Sequence, residues 1–313
     1  MPLQVVRKEC IATDVYLFEL AAPDTAVLAP FEPGAHITLL TPNGLTRRYS
    51  LCNSPHETRV YRIAVKREAQ GLGGSVSLVD HVAVGGTIPV SAPLNYFPLH
   101  TGAPSFLLIA GGIGITPILS MARALQAIGA DFRIIYLART PASAAFHAEL
   151  CADDLRAHSV VHHNHGDPSR KFDLSAALEA CSEGAHIYCC GPRRLMESVR
   201  DLTRGRPGGH VHFEDFGSSE PAPQHQDRPF QVRLVQKGIT LEVPTGVTIL
   251  EVLRRSGVVV PSSCESGTCG ACRTKLVSGL ADHRDYVLDD DQHDTEIMIC
   301  VSRAKSAILQ IDV

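Results

Sequence analysis

Four cysteines near the end of the chain constrain its fold more than any other feature of the sequence. Cys264, Cys269 and Cys272 follow the spacing C-x4-C-x2-C in the segment CESGTCGAC, and Cys300 stands alone further on. This is the spacing with which four thiolates hold a plant-type [2Fe–2S] cluster. Glycines within the segment let a short loop wrap tightly enough to point three sulfurs inward. The segment therefore predicts a [2Fe–2S] centre with these four cysteines as its ligands.

Zinc ligation and disulfide pairing stay open as alternative roles for the cysteines. Structural zinc sites usually combine two short C-x2-C-like knuckles, whereas three cysteines here share one nine-residue loop. The ten cysteines of this 313-residue chain could in principle pair as disulfides. However, the start MPLQVVRKEC lacks the basic and apolar layout of a signal peptide, and a reducing cytosol keeps thiols free. We therefore expect a cytoplasmic protein whose other cysteines are mostly small buried side chains.

Composition argues against two classes of partner. The formal net charge is -4, so the chain shows no basic excess for binding nucleic acid. No stretch reaches the roughly 18 uninterrupted apolar residues of a membrane span. We expect neither nucleic acid nor a membrane as a partner.

The hydrophobic pattern changes along the chain and predicts three domains. Residues 1–100 contain short runs such as VYLFELA and HITLL, punctuated by Gly, Pro and Asn, as in an antiparallel β-barrel. Residues 101–226 alternate apolar strands with helical stretches, which predicts a doubly wound parallel sheet. Residues 217–227 have the composition of a linker. Residues 227–313 form the third predicted domain.

Local signals predict several turns and helix starts. Thr116 is placed to cap a helix that has Pro117 at its first position. A hairpin is expected to turn at Lys237 and Gly238. Thr248 begins a capping box that predicts a short helix in the third domain.

The run HHNHG suggests a further metal site. If the run were a strand, alternation would place His163 and His165 on one face. Histidine is a common metal ligand, but no thiolate or carboxylate motif lies nearby in the sequence. We expect an ordinary strand here.

The segment R-x-Y-S has residue types that suit a flavin. On a strand, Arg47 and Tyr49 project to the same face. The fork of an arginine can donate two hydrogen bonds to a phosphate, and a tyrosine offers a flat amphipathic surface to an aromatic ring. The alternative is an exposed Arg–Tyr strand pair without a ligand.

Three glycine-containing segments are placed to receive anions or a nucleotide. GLGGSVS runs into a helix start, where backbone amides and a hydroxyl can donate to a phosphate. GGIGITP follows a buried strand and opens a helix, although it is not the usual G-x-G-x-x-G fingerprint. CCGP ends a later strand, and open α/β sheets bind ligands at the carboxyl ends of their strands.

Taken in order, RRYSLCN, GGIGITP, YCCGP and CESGTCGAC resemble the class IA reductases of Rieske-type aromatic-ring oxygenases. This is the family of the phthalate dioxygenase and vanillate demethylase reductases, and the resemblance covers essentially the whole chain. It implies an N-terminal flavin-binding β-barrel over residues 1–100 and a ferredoxin-reductase-like, nicotinamide-binding α/β domain over residues 101–226. It also implies a C-terminal ferredoxin domain of β-grasp type over residues 227–313.

The resemblance also implies the residues that bind each cofactor. The flavin residues are Arg47, Arg48, Tyr49, Ser50, Ala64, Val65, Lys66, Gly73, Gly74, Ser75, Thr116 and Phe216. The nicotinamide residues are Gly111, Gly112, Gly114, Thr116, Arg139, Cys190, Gly191 and Pro192. Thr116 and Cys190 are expected at the position of hydride transfer, with Cys190 shaping the pocket. Core packing at a strand end is the alternative role for Phe216.

By resemblance, the chain is an NADH-dependent reductase that uses FMN and passes single electrons through the cluster to a partner Rieske-type oxygenase with a phthalate-like substrate. The partner complex should be transient and the reductase a monomer. Residue chemistry alone leaves FAD in place of FMN, and NADPH in place of NADH, open. A stand-alone flavin reductase and a simple electron carrier are the competing functions, and a carrier would need neither RRYSLCN nor CCGP.

Overall fold

The computed structural model describes residues 1–24, 26–167, 169–206, 210–216 and 227–313. The chain divides into two compact units, Met1–Phe213 and Glu214–Val313. Most of the predicted linker, residues 217–226, lies outside the described residues.

The first unit begins with a β-barrel of seven strands and one helix. These are β1 (Pro2–Ala12), β2 (Val15–Ala21), β3 (Ala35–Leu40), β4 (Thr46–Ser50), β5 (Tyr61–Lys66), β6 (Thr87–Pro89), β7 (Leu94–Asn95) and α1 (Gly74–His81). One sheet has the order β5–β2–β1–β6 and the other β4–β3–β7. Backbone bridges between Leu39 and Val90 and between Leu51 and Ile63 connect the two sheets. The antiparallel barrel predicted from the sequence is therefore confirmed.

Alternation along β2 explains how the barrel is packed on both sides. Phe18 and Leu20 are fully covered and belong to the hydrophobic cluster inside the barrel. Val15 and Leu17 point the other way, because successive strand residues face opposite sides. They pack into a second cluster that also contains residues of the α/β domain. Both faces of this strand are consequently buried.

The rest of the first unit is a parallel α/β sheet. Its strands are β8 (Phe106–Gly111), β9 (Phe132–Ala138), β10 (Ser159–His163), β11 (His186–Cys190) and β12 (Val211–Glu214). Its helices are α2 (Ile115–Ala127), α3 (His147–Leu150), α4 (Asp153–Arg156), α5 (Leu174–Glu179) and α6 (Arg193–Leu202). The strand order is β10–β9–β8–β11–β12, and β8 pairs in parallel with both β9 and β11. The order reverses between β8 and β11, which makes the carboxyl ends of these two strands the topological switch point.

The barrel and the α/β sheet share one hydrophobic core. Cys52 and Phe97 from the barrel side pack in the same cluster as Ile118 and Met121 of α2. A guanidinium nitrogen of Arg123 also donates to the Cys52 carbonyl at 3.0 Å. This shared core holds the edge of the barrel against the sheet within the first unit.

Two local predictions in the α/β sheet are wrong. Thr116 does not cap α2, because Gly114 occupies the cap position and the Thr116 hydroxyl donates to the carbonyl of Ile113 at 3.1 Å. The GGIG turn continues into the helix as a 3₁₀ turn, so the chain is already helical before Thr116. The HHNHG run does not alternate as a strand either, since β10 ends at His163 and His165 has a left-handed φ of 53°.

The second unit is a mixed sheet crossed by one helix. Its strands are β13 (Phe230–Leu234), β14 (Ile239–Val243), β15 (Arg273–Ser278), β16 (Ala281–Asp282), β17 (Glu296–Met298), β18 (Arg303–Ala304) and β19 (Ile308–Ile311), and its helix is α7 (Ile249–Arg255). The main sheet has the order β14–β13–β19–β15–β17, with β13 and β19 parallel. The predicted hairpin is confirmed by the antiparallel pair β13–β14. The Thr248 cap is confirmed by the hydrogen bond that its side chain accepts from the Glu251 amide. The β-grasp fold class is confirmed as well.

The last residue of the predicted linker is anchored in the second unit. The Asp227 side chain is only 5% exposed and lies 2.6 Å from the guanidinium of Arg284 and 3.6 Å from that of Arg303. The buried Arg303 also donates to three backbone carbonyls of the segments around it. Asp227 is therefore part of the folded unit. Among the described helices, none has the length and apolar character to cross a lipid bilayer.

Four histidines gather in the first unit at the end of the sheet where β11 starts. His186 and His212 lie 3.0 Å apart between ring nitrogens, and the His212 ring stacks on Tyr188 at 4.4 Å. His100 and His210 lie close by, with ring centroids within 5.9 Å of that of His186. Burial, followed by the neighbouring imidazoles, lowers the pKa of His212 to about 3. The His212 ring is therefore neutral at physiological pH.

Acid should weaken the first unit through this cluster. Between pH 6.5 and 3 the unfolded chain binds a proton at His212 that the folded chain does not, so folded stability falls as the pH falls through this window. Going from pH 7 to pH 5, His212→Gln should lose about 2 kcal/mol less stability than the wild type. Urea unfolding followed by circular dichroism at the two pH values measures the difference. The exposed His56→Gln should lose as much as the wild type, and equal losses in all three proteins would refute the assignment.

Candidate active site

The predicted phosphate site is a cradle between a strand and a helix start. Arg47 lies on β4, and its side chain crosses the first residue of α1 so closely that a Cβ on Gly74 would lie 2.7 Å from Nε of Arg47. Gly73, in the cap position, has a left-handed φ of 83°. The opening amides of a helix and a guanidinium together suit a phosphate, because both donate hydrogen bonds to an anion. The residues therefore fit the phosphate of a flavin.

The other predicted flavin residues are divided by strand alternation. Arg47 and Tyr49 are half-buried on one face of β4, whereas Arg48 is exposed on the other. Burial raises the pKa of Tyr49 to about 12, so the ring stays neutral. Ser50 is buried at the end of the strand. Tyr49 thus offers a neutral aromatic surface beside the phosphate cradle.

The strand β5 contributes mainly backbone groups to the predicted flavin site. Ala64 and Val65 on β5 are buried, and Lys66 is exposed with its ammonium 3.2 Å from Glu68. The Ser75 hydroxyl accepts a hydrogen bond from the Glu68 amide at 3.1 Å, which ties the start of α1 to the end of β5. These contacts hold the glycine turn next to the strand.

The two nicotinamide segments pack backbone against backbone at the switch point. A Cβ on Gly114 would lie 2.2 Å from the carbonyl oxygen of Cys190, and one on Gly191 would lie 2.9 Å from Cα of Gly111. Such distances leave no room for any side chain other than hydrogen. GGIG at the end of β8 and CGP at the end of β11 therefore form one continuous surface at the carboxyl edge of the sheet. This is where open α/β sheets bind ligands.

The remaining nicotinamide residues surround this surface. Gly112 has a left-handed φ of 54° and open space where a Cβ would be. Pro192 occupies the cap position of α6. Arg139 is exposed directly after β9, at the same edge, and its carbonyl accepts from the His165 amide at 2.7 Å. Cys190 is fully buried.

The flavin strand and the nicotinamide turn are neighbours within the first unit. Residues of β5 contact the 3₁₀ turn Gly112–Gly114, and that turn also contacts β8 and β9. Buried Thr116, whose hydroxyl bonds to Ile113, fixes the turn from the helix side. The fold thus brings the two predicted binding segments together along one edge.

The four predicted cluster ligands form two pairs in the second unit. The side chain of Cys264 interacts with that of Cys269, and the side chain of Cys272 interacts with that of Cys300. In the part of the chain that the structure describes, no three His, Cys, Asp or Glu side chains are arranged around a single metal ion. A two-by-two arrangement is what a diiron cluster requires, because each iron takes two of the four thiolates.

Backbone amides in the loop point at the sulfurs. The Cys264 amide donates to Sγ of Cys269, and the Ser266 amide donates to Sγ of Cys264, both at 3.4 Å. The hydrogen bond with Cys269 and those from backbone amides lower the pKa of Cys264. Gly267 and Gly270 have left-handed φ values of 77° and 78°, which the tight loop requires. Amide donors of this kind stabilise thiolate and sulfide charge, so the loop fits a [2Fe–2S] cluster.

One predicted flavin residue belongs to the second unit, and two contributors were missed. Phe216 belongs to the second unit and is 45% exposed, so it does not pack in a core. Asn43 was missed although it braces the phosphate cradle, with its amide nitrogen donating to the Gly73 carbonyl at 3.4 Å. Asp285, which is buried beneath the cluster loop, was also missed. Neither has a motif around it, because each acts through tertiary contacts alone.

Removing the cradle arginine should weaken flavin binding. A charged hydrogen bond to a phosphate contributes about 1.5–3 kcal/mol, so Arg47→Ala should raise the Kd of the flavin about 10- to 100-fold. Fluorescence titration of flavin-free protein measures this Kd. Arg59→Ala is the matched control, because Arg59 is an exposed arginine outside the predicted flavin residues. The cradle assignment fails if both variants bind flavin equally well.

Comparison with known proteins assigns a family model to each of three parts of the chain. Three family models match in order: an oxidoreductase FAD-binding domain over residues 2–98, an oxidoreductase NAD-binding domain over residues 108–201 and a 2Fe-2S iron-sulfur cluster binding domain over residues 232–305. Phthalate dioxygenase reductase of Burkholderia cepacia is 52% identical over 311 residues, covering 99% of this chain and 96% of the relative. The chain belongs to the phthalate dioxygenase reductase family.

Other members of the family agree with this placement. The phthalate 4,5-dioxygenase oxygenase reductase subunit of Pseudomonas putida is 47% identical to this chain. The match covers 99% of this chain and 96% of the relative. A solved structure of phthalate dioxygenase reductase, described as modular for electron transfer from pyridine nucleotides to [2Fe–2S], matches with a TM-score of 0.72. Its sequence is 52% identical to this chain, and the match covers 100% of this chain and 98% of the solved chain.

Family membership settles the general activity. The chain is an oxidoreductase that carries electrons from NADH through a flavin and a [2Fe–2S] cluster to an oxygenase. The predicted family, fold class and reductase function are thereby confirmed. An electron carrier without flavin or nucleotide sites is ruled out by the matched flavin and nicotinamide domains.

Proposed function

We propose that this reductase uses FMN and NADH to supply single electrons to a Rieske-type oxygenase that acts on a phthalate-like aromatic acid. The cradle of Arg47 and the α1 start, and the continuous glycine surface at the switch point, support the first half of the proposal. The oxygenase type and its substrate follow from relatives such as the phthalate dioxygenase reductase of Burkholderia cepacia. The cytoplasm is the proposed compartment, because the ligand cysteines must stay reduced.

In the flavin site, Arg47 and the opening residues of α1 bind the phosphate. Tyr49 would offer its aromatic surface to the ring, and the backbone of Ala64 and Val65 would supply hydrogen bonds to it. One cradle accommodates one phosphate, which agrees with FMN, and FMN itself follows from the family resemblance. Lys66 and Arg48 are exposed and help to neutralise charge near the flavin.

In the nicotinamide site, the amides of Gly111 and Gly112 and the start of α2 bind the pyrophosphate. Arg139 lies at the same edge and would contact the adenosine ribose. Cys190 is fully buried, so it shapes the floor of the pocket and is not a nucleophile. Thr116 holds the turn through Ile113 and would thereby help to position a bound nicotinamide.

A flavin is needed between the two other cofactors because it accepts the two electrons of a hydride and releases them one at a time. The protein contributes orientation to the reaction. Gly114 and Gly191 let the GGIG and CGP turns approach each other closely, so that together they can bind the nicotinamide nucleotide. We propose three functional domains, 1–100 for FMN, 101–226 for NADH and 227–313 for the cluster held by the four cysteines. A monomer with a transient partner complex suits this role.

Cofactor content and nucleotide preference test the proposal on one preparation. The purified protein should release FMN on extraction and contain about one flavin and two irons per chain. Its kcat/KM for cytochrome c reduction should be higher with NADH than with NADPH. Extraction of FAD would refute the assignment of FMN, and a preference for NADPH would refute the assignment of NADH.

The oxygenase partner needs a separate experiment. With a purified Rieske-type phthalate oxygenase, NADH and phthalate, the reductase should support product formation that depends on reductase concentration. A reductase that reduces cytochrome c at full rate but supports turnover only with an oxygenase of another type would contradict the partner assignment.

A further inference from the structure

A carboxylate lies buried beneath the cluster loop. The Asp285 side chain has no exposed surface, and its Oδ2 accepts from the amides of Val287 at 3.1 Å and Leu288 at 2.9 Å. The Ser302 hydroxyl lies 3.4 Å from Oδ1. Burying a charge is costly unless donors compensate it, and here the fold supplies a set of donors. Asp285 is outside every motif that defines the cofactor sites.

The carboxylate is ionised at neutral pH. Burial by itself would raise the pKa of Asp285, but the His283 imidazole and the amides of Leu288 and Val287 together lower it below its usual value. Nδ1 of His283 lies 3.9 Å from Oδ1 of Asp285. The second unit therefore keeps a full negative charge in its interior at this point.

Asp285 touches both chain segments that carry cluster ligands. A Cβ on Gly267, which lies between Cys264 and Cys269, would be 3.1 Å from Cα of Asp285. The next residue, Tyr286, donates its amide to the Gly267 carbonyl at 2.9 Å. The bond from Ser302 reaches the segment just after Cys300. One side chain thus connects the three-cysteine loop to the fourth ligand.

A single residue separates the carboxylate from a ligand sulfur. The Gly267 amide lies near the sulfur of Cys300, and Gly267 also packs on Asp285. Water screens charges held this close in a buried environment only weakly.

We propose that Asp285 is a positioning residue that also lowers the reduction potential of the [2Fe–2S] cluster. Reduction adds one electron to the cluster and forms or breaks no bond, and the flavin supplies that electron. A cluster held by four thiolates is already anionic, and reduction makes it more so, which a buried carboxylate opposes. The inference rests on the proposed ligand set, and its consequence is a cluster that passes its electron onward readily.

Charge removal at constant shape tests the inference in the holoprotein. Asp285→Asn should favour the reduced cluster about tenfold, which is a positive shift of about 59 mV for a one-electron couple. Redox titration followed by low-temperature electron paramagnetic resonance measures the midpoint potential, and the flavin midpoint read from absorbance should not move. Asp285→Glu keeps the charge and should stay near the wild-type potential. Asp290→Asn removes a charge from a side chain that is 95% exposed and should change nothing, because water screens it.

Several results would overturn the inference. An unchanged potential in Asp285→Asn with a full cluster would do so, as would equal shifts in Asp285→Glu or Asp290→Asn. If Asp285→Asn and Asp285→Ser both fail to hold a cluster, Asp285 is a structural requirement alone and the redox role is wrong. Failure of the ligand set itself is distinguishable, because wild-type protein would then lack two irons per chain and the resonance signal before any variant is made.

Discussion

Cys264→Ser is expected to abolish NADH-driven cytochrome c reduction while leaving reduction of the flavin by NADH largely intact. The serine removes one of the paired thiolates and the sulfur that accepts the Ser266 amide, so the cluster loses a ligand and its support. Apart from Phe216, the predicted flavin and nicotinamide residues lie in the first unit and keep their contacts. Anaerobic stopped-flow absorbance measures flavin reduction, and a cytochrome c assay on the same sample measures onward transfer.

Cys10→Ser is the matched control, because Cys10 is an exposed cysteine of the first unit. It should keep both activities. Two results would count against electron flow in series: loss of both activities in folded Cys264→Ser, or retention of cytochrome c reduction in protein without a cluster. The iron content of each preparation decides which case applies.

Gly114→Ala should slow hydride transfer by about 100-fold with flavin still bound. The backbone of Gly114 has φ −61°, so alanine suits its conformation and the only obstacle is space. Its Cβ would lie 2.2 Å from the carbonyl oxygen of Cys190, and the two nicotinamide turns must separate to admit it. A misplacement of about 1 Å in the reacting groups can cost about 10²-fold in rate. The rate of flavin bleaching by NADH without oxygen measures the effect.

Gly102→Ala controls for the loss of a glycine, since a Cβ there meets nothing within 4 Å. It should react at the wild-type rate. The flavin affinity of Gly114→Ala should also be unchanged, because the phosphate cradle at Arg47 is formed by other segments. A folded Gly114→Ala protein that reacts with NADH normally would show that the two turns do not form the nicotinamide site.

The predictable parts of this fold are those that depend on the local pattern of residues in the sequence. The apolar run SFLLIA became the central strand β8, with all six residues of the strand buried, because a strand covered on both faces needs no polar positions. The cysteine spacing indicated the cluster because ligand geometry leaves few alternatives. Both signals depend on residues that are close in the sequence.

The parts that were not predictable depend on contacts between distant residues. Thr116 has the sequence context of a helix cap, yet the GGIG turn is held against Cys190 and starts the helix earlier. The approach of Gly114 to Cys190 joins positions 76 residues apart, and nothing in either motif indicates it. Tertiary packing overrides local capping preference in such a place.

Two titratable features were missed because tertiary contacts alone distinguish them. His212 is one of fifteen histidines, and only its stacking on Tyr188 and contact with His186 set it apart. Asp285 occurs in a polar stretch, HRDY, typical of a solvated turn. Its charge matters because the fold places it under Gly267.

The most direct test is an anaerobic NADH titration of flavin-free and flavin-loaded protein, followed by electron paramagnetic resonance. Arg47→Ala stripped of flavin should retain its iron and give the reduced-cluster signal with dithionite but none with NADH. Adding flavin in excess should restore the NADH-dependent signal. A flavin-free protein whose cluster is reduced by NADH at the wild-type rate would contradict transfer from nicotinamide through flavin to the cluster.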